Sequence, residues 1–217
     1  NKIDINDEDF NKLYDEHKEK SKAEKSLGNE NMEIEVELNE FVGYENTESK
    51  SKIYQVETYD DKFIIFTEEN PFYFEAGGQI SDKGVITIDD TSIEVIDVFQ
   101  ASNGATGLIV DSDIFKVDQE VELSVNKSFR SGVSKSHTGA HIVHSALRNI
   151  LGDHVAQAGS NVTPGKFRFD FSHTEKVSQE ELDEIFALSN SAVFEDYEVN
   201  TNIMNIDEAK NEGALAF

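Results

Sequence analysis

The apolar residues recur with a period of two through the first half of the chain and with a helical period beyond residue 130. Successive strand side chains point to opposite faces, so a period of two marks half-buried strands, whereas spacings of three and four mark one face of a helix. From Met32, the residues Ile34, Val36 and Leu38 alternate with Glu33, Glu35 and Glu37. Strand-like runs follow at 52–59, 62–67, 85–88, 92–99, 106–110 and 119–125, separated by short polar turns such as Asp60-Asp61 and Asp89-Asp90. Many short strands at this spacing predict a small, mostly antiparallel barrel or sandwich.

After Arg130, residues 135–151 read as an amphipathic helix with Ile142, Ala146, Leu147 and Ile150 on its apolar side and Gly152 past its end. Phe167, Phe169 and Phe171 alternate with Lys166, Arg168 and Asp170, a strand with one aromatic and one charged face. Ser178 and Glu181 form a capping-box signature opening a helix to about residue 195, whose buried side would carry Leu182, Ile185, Phe186, Leu188 and Ser189. Residues 197–203 read as a further strand and 207–211 as a short helix closed by Gly213. Ahead of all this, residues 7–27 carry dense alternating charge with Phe10, Leu13 and Tyr14 on a narrow stripe, a solvent-exposed helix stopped by Gly28-Asn29. The expected class is α+β.

Charge and cysteine content narrow the partners. The 217 residues include 44 acidic and 19 basic side chains, a formal net charge of -25. That sign opposes generic nucleic-acid binding, so any RNA contact must be local, made by a few Lys and Arg or by backbone N–H groups. DNA is not an expected partner on the same ground of charge, nor is a membrane, because no apolar run is long enough to span a bilayer. The chain has no Cys, hence no disulfide and no thiolate ligand. It starts at Asn1, ends on Ala214-Leu215-Ala216-Phe217, and reads as a piece of a longer cytoplasmic protein.

Three stretches carry more than core patterning. In the first, 70–82, an aromatic run ends in Glu75-Ala76-Gly77-Gly78-Gln79. A glycine pair there lets a ligand approach the backbone, and Gln79 offers an amide; a plain hairpin turn fits the spacing equally well. The second is Ser136-His137-Thr138-Gly139-Ala140-His141-Ile142-Val143-His144. At about 100° per residue, its three histidines fall within roughly 60° of one helix face. Imidazoles at i and i+4 can share one divalent cation, yet Thr138 stands where a zincin protease needs Glu, and histidines also line helices for purely structural reasons. The third stretch runs from Gln157-Ala158-Gly159-Ser160 to Phe167-Arg168-Phe169-Asp170-Phe171-Ser172-His173.

In this order and spacing the three stretches resemble the editing region of alanyl-tRNA synthetases and the related free-standing alanyl-tRNA editing hydrolases. The opening helix is similar to the segment that joins the tRNA-recognition part of those synthetases to the editing part. The resemblance implies a linking helix over 1–30, a β-barrel over 31–130, and an editing core over 131–217 like that of threonyl-tRNA synthetase. It implies that His137 and His141 are two of four Zn2+ ligands, the others belonging to a Cys-Gly-Gly-Thr-His segment that would lie beyond residue 217. It also implies hydrolysis of serine or glycine from mischarged alanine tRNA, whose acceptor end would be the partner together with the rest of a parent, ATP-using synthetase. The alternative is a catalytically incomplete tRNA-binding or structural module of the same synthetase.

Such a second site is needed because one methylene discriminates by only about 1–3 kcal/mol. On this reading Gln79 hydrogen-bonds the ester or the serine hydroxyl, Asn70 lines the same pocket, and Gly77 and Gly78 admit the substrate. Arg168 faces a phosphate or pairs with Asp170, and His144, His154 and His173 are structural. Two residues depart from the family pattern: Asn70 stands where Thr is usual, and Gly139-Ala140 replaces Ala-Thr between the histidines.

Overall fold

The computed structural model describes residues 34–198, 200, 202 and 204–214. Eleven strands are assigned among them: β1 (Glu40–Phe41), β2 (Glu48–Tyr59), β3 (Lys62–Thr67), β4 (Glu69–Asn70), β5 (Gly84–Ile88), β6 (Thr91–Val95), β7 (Asp97–Gln100), β8 (Thr106–Val110), β9 (Glu120–Val125), β10 (Gln157–Thr163) and β11 (Lys166–Phe171). Three helices accompany them: α1 (Lys127–Leu151), α2 (Gln179–Phe194) and α3 (Ile206–Asn211). The class is mixed α and β with mostly antiparallel pairing, as expected. The helix read over 7–27 lies outside the described residues. The strand read over 197–203 lies partly outside them and is not assigned on the remainder.

Seven strands form one sheet in the order β6-β5-β9-β2-β3-β8-β7. The long strand β2 organises it. Its first half, Glu48 to Lys52, pairs with β9, and its second half pairs with β3 across a bulge between Ile53 and Gln55. The edge strands β6 and β7 are consecutive in the chain, separated by Ile96 alone. A flat seven-stranded sheet would set its edges about 29 Å apart, at roughly 4.8 Å per strand, whereas one intervening residue spans only about 7 Å. The sheet is therefore rolled. The expected closed barrel is nevertheless not formed, because β6 and β7 do not pair; each keeps its own neighbour, β5 and β8.

Rolling explains the apolar composition of β3. Ile64 and Phe66 point to one cluster with Phe99 and Ile109, while Ile65 points to the other with Ile53, Phe72, Ile86, Leu108 and Leu123. Both faces are dry, so this strand is apolar at four consecutive positions instead of alternating. Each such side chain contributes roughly 1.5–3 kcal/mol on full burial. Residues 34–38 show the reverse. Ile34 and Val36 are half-buried as the alternation predicts, yet no ladder forms. Side chains take the carbonyls instead: Gln55 donates to Glu35 O (2.9 Å), Asn103 to Val36 O (2.6 Å) and Tyr54 to Glu37 O (2.6 Å).

Two compact units are distinguished. One comprises the described residues up to His141 together with Ala156–Ser172; the other comprises Ile142–Val155 and the described residues from His173 onward. The first holds the rolled sheet, the N-terminal part of α1 and the hairpin β10–β11. Helix α1 starts eight residues earlier than its apolar stripe predicts, at Lys127 rather than 135. Asn126 caps it, its Oδ1 accepting from Phe129 N at 3.0 Å. The first two turns contain Ser128, Ser131, Gly132 and Ser134, weak helix formers that conceal the start.

Arg130, in that early part of α1, clamps the loop between β4 and β5. Its Nε donates to both carboxylate oxygens of Asp82 at 2.9 Å, and its Nη2 also meets Asp82 Oδ2. Nη1 donates to Gly43 O at 2.5 Å and Nη2 to Pro71 O at 2.7 Å. Asp82, 1% exposed, also accepts from Tyr73 N at 2.7 Å. One guanidinium thereby ties α1 to both ends of loop 71–82 and to the turn at Gly43.

In the second unit, α2 begins with the expected capping box: Glu181 N donates to Ser178 Oγ, and Ser178 N to the Glu181 carboxylate. Its apolar side corrects the expectation. Only Ile185 is buried; Leu182, Phe186 and Leu188 are exposed, and Ser189 is half-buried. The stripe follows the helical period, but none of the described residues of the unit covers it. No helix among the described residues is long and apolar enough to cross a membrane.

Candidate functional site

The glycine loop, the histidine helix and the hairpin meet at one cavity of about 210 Å3, lined by Gly77, His137, Ala140, His141, Gln157, Ser160, Val162 and Phe169. The loop docks on β10 through its backbone. Val162 N donates to Gly78 O (2.7 Å) and Ile80 N to Val162 O (3.2 Å), while Ala76 and Gln79 exchange a pair of N–H···O bonds at 3.1 and 3.0 Å. Both glycines lie at positive φ, +60° at Gly77 and +79° at Gly78. A Cβ on Gly78 would sit 2.2 Å from Ser160 Oγ and 3.0 Å from its carbonyl oxygen; one on Gly77 would lean on the His137 ring at 3.4 Å. Only glycine allows this approach.

His137 and His141 stack with ring centroids 5.1 Å apart and 18° between planes, the consequence of i, i+4 spacing on α1. His137 Nδ1 lies 2.9 Å from Gln79 Oε1. With a carbonyl oxygen as partner, Nδ1 carries the proton, and Nε2, on the side of Gly77, keeps its lone pair. Burial, and secondarily the neighbouring His141, holds the His137 pKa below the ordinary imidazole value. The ring is therefore neutral at neutral pH, the form in which imidazole ligates metal. His141 is exposed.

This donor set fits half of a zinc site. Two imidazoles match two of the four positions of a tetrahedral centre, and no group of three or more His, Cys, Asp or Glu suited to a metal occurs among the described residues.

The remaining expected site residues are placed as follows. Gln79 is 5% exposed and sits behind His137 rather than on the cavity wall, so it touches the imidazole instead of the cavity contents. Asn70 is fully buried. Its Nδ2 donates to Thr106 Oγ1 at 2.8 Å and its Oδ1 accepts from Phe72 N at 2.9 Å, so it fixes the start of the loop and does not line the cavity. Arg168 is largely exposed and pairs with Asp170 at 3.1 Å, the second of its two expected roles. Gly139 lies beside the Phe167 ring, where a Cβ would find ordinary contact at 3.4 Å. His144 is buried, and His154 with His173 form a separate pair in the second unit. Gln157 and Ser160 were not singled out as site residues, although their motif was; Gln157 Nε2 donates to Ser160 Oγ at 3.0 Å on the cavity wall. Phe169, on the aromatic face of β11, closes the apolar side.

A glycine loop packed against a histidine helix, with a polar wall and an aromatic one, encloses one small cavity in the first unit. Comparison with known proteins then places it: the chain belongs to the class II (A) tRNA synthetases, whose family model, described as "tRNA synthetases class II (A)", matches residues 1–129. It is similar to the alanine–tRNA ligase of Lysinibacillus sphaericus (strain C3-41), with 36% identity over 98% of this chain and 25% of that protein. It is also similar to the alanine–tRNA ligases of Oceanobacillus iheyensis (39% identity, 81% of this chain, 21% of that protein) and Caldicellulosiruptor saccharolyticus (35%, 95% and 26%). The chain thus spans about a quarter of the length of these relatives. The family model ends in the first turn of α1, ahead of its histidines, whereas the first of these relatives matches nearly the whole chain, cavity included.

Proposed function

We propose that this chain is the editing part of an alanine-specific tRNA synthetase, hydrolysing the ester that joins serine or glycine to the terminal adenosine of alanine tRNA. The observation that carries the reading is convergence. Gly77, His137, His141, Gln157 and Ser160 come from three separate stretches and line one small cavity. Water attacks the ester carbonyl, the acyl–oxygen bond breaks, and the ribose oxygen leaves with a proton. An ester is already activated, so positioning and charge stabilisation suffice without a covalent nucleophile.

The chain's own residues divide the work. Ser160 Oγ and the Gln157 amide face the amino-acid end and provide hydrogen-bonding partners for a serine hydroxyl. Gly77 and Gly78 keep the loop close enough to leave room for the ester. Gln79 holds His137 as the Nδ1–H tautomer and acts through it. A zinc ion, when bound by His137, His141 and two ligands from elsewhere in a longer protein, supplies positive charge toward the ester oxygen. The second reading, a catalytically incomplete tRNA-binding or structural module, is favoured by the fact that, among the described residues, the cavity brings together two ligand histidines and no third.

Deacylation of seryl-tRNA for alanine, measured with this chain and with a version lengthened toward its relatives, separates the two. Zinc binding together with deacylation by the longer form supports editing. Zinc without turnover in either form leaves the module.

A further inference from the structure

We propose that a second cavity, bordering the same glycine loop, is the stacking site for an unpaired nucleobase, the terminal adenine of the tRNA whose ester enters the histidine cavity. The proposal rests on the editing reading above for the identity of the base, and on geometry for the site itself. The cavity, about 260 Å3, is walled by Phe41, Tyr44, Tyr73 and Phe74, with Ala76 and Gln100 at its margins. Phe41 meets Tyr44 edge-on (5.1 Å, 89°) and Tyr73 at 6.2 Å and 66°. Tyr44 is nevertheless 74% exposed, a large ring held at the mouth with most of its surface unused.

Three features select a base as the occupant. The volume is below the roughly 300 Å3 of a drug-sized pocket, so it takes one ring system of a larger ligand. No Lys or Arg is among its lining residues, and Glu40 and Glu45 flank Phe41 and Tyr44 in the chain, which disfavours a phosphate. A neutral base stacks on aromatic rings without needing positive charge. Finally, the two cavities share one loop: Ala76 lines this one and the adjacent Gly77 lines the other. An aminoacylated adenosine carries an ester and a ring system within one nucleoside, which suits two cavities lined by adjacent residues of one loop.

The walls are also preorganised from the histidine helix. Arg130 of α1 holds Gly43 O, next to Tyr44, and Pro71 O, at the start of the segment bearing Tyr73 and Phe74. Asp82, its partner, holds Tyr73 N. The clamp therefore fixes the aromatic cavity to the helix that carries His137 and His141, as a site reading both ends of one nucleoside needs.

The test is titration of the full chain with adenosine, followed by NMR of the aromatic resonances, for the native sequence, Tyr44→Ala and Tyr44→Phe. Adenosine should shift the Tyr44 and Tyr73 resonances, Tyr44→Ala should weaken binding roughly 10-fold, and Tyr44→Phe should retain it. Shifts located elsewhere, or affinity indifferent to Tyr44→Ala, overturn the proposal. So does a change of self-association on Tyr44→Ala without an effect on adenosine, which would assign the cavity to a protein partner. Tyr44-dependent adenosine binding without any deacylation sinks the editing reading and leaves this site standing. Deacylation with Tyr44-independent binding does the opposite.

Discussion

His137 and His141 stack with centroids 5.1 Å apart, and so do His154 and His173. The first pair turns outward: Nδ1 of His137 is engaged by Gln79 at 2.9 Å, which leaves Nε2 on the cavity side. The second pair turns on itself, with His154 Nε2 and His173 Nδ1 2.9 Å apart, so one ring's lone pair accepts the other's proton. Equal ring spacing therefore carries no functional information by itself. What marks the first pair is a third residue, Gln79, that engages the His137 nitrogen facing away from the cavity.

The largest expected contrast follows directly. In the form lengthened toward its relatives, His137→Ala should abolish zinc uptake at neutral pH, measured by calorimetry or by metal analysis after dialysis, and His154→Ala should leave it unchanged. Equal losses in both variants would erase the distinction. Next comes the clamp. Arg130→Ala leaves the Asp82 carboxylate buried without its cation, and removing one partner of a buried pair costs about 3–5 kcal/mol. Urea unfolding of the first unit should show that loss. The NMR signals of His154 and His173 should stay put, because their contact is internal to the other unit. Gln79→Ala is smaller and more specific. Loss of the tautomer-fixing acceptor should lower zinc affinity by about 10–100-fold while the fold persists, and 15N shifts should show His137 moving from one Nδ1–H form to a mixture. An unchanged tautomer would return Gln79 to direct substrate contact.

The sequence discloses some of this architecture more readily than the rest. Strands 62–67 and 106–110 are read at their true limits because their apolar runs are bounded by turns. The strand read over 92–99 divides at Ile96, where the chain passes from one edge of the rolled sheet to the other; periodicity says which face a residue takes, never which edge a strand joins. The α2 stripe was legible as amphipathic, but Phe186, 71% exposed, shows that amphipathy does not name what covers it. In the site, motif order pointed to Gly77, Gly78, His137 and His141. The same motifs offered Gln79 and Asn70 for substrate contact, whereas each hydrogen-bonds a protein partner. A side-chain amide has the same letter in both roles, and burial alone decides between them. Gln157 and Ser160 were within a recognised motif, yet only the pairing of β10 with the loop at Val162 brings them to the wall.

The smallest predicted effect sharpens the comparison from the side of the second pair. Glu181 is held below the usual carboxylate pKa, first by the backbone N–H of Ser178, then by its hydroxyl, and least by the charge of His173. A depressed carboxylate contributes stability that is present above its unfolded value, about 4.3, and is lost as pH falls through the folded value. Ser178→Ala removes the helix cap and should destabilise the chain near neutral pH, with the difference from the native chain shrinking in acid. His173→Gln should reproduce only a small part of that loss, because the Glu181 carboxylate is solvent-exposed and its attraction to a histidine is screened. Thermal unfolding at pH 5 and at pH 3 provides the comparison. A His173→Gln loss as large as that of Ser178→Ala, or one that grows as pH falls, would mean that the second pair does more than close on itself beside a helix cap.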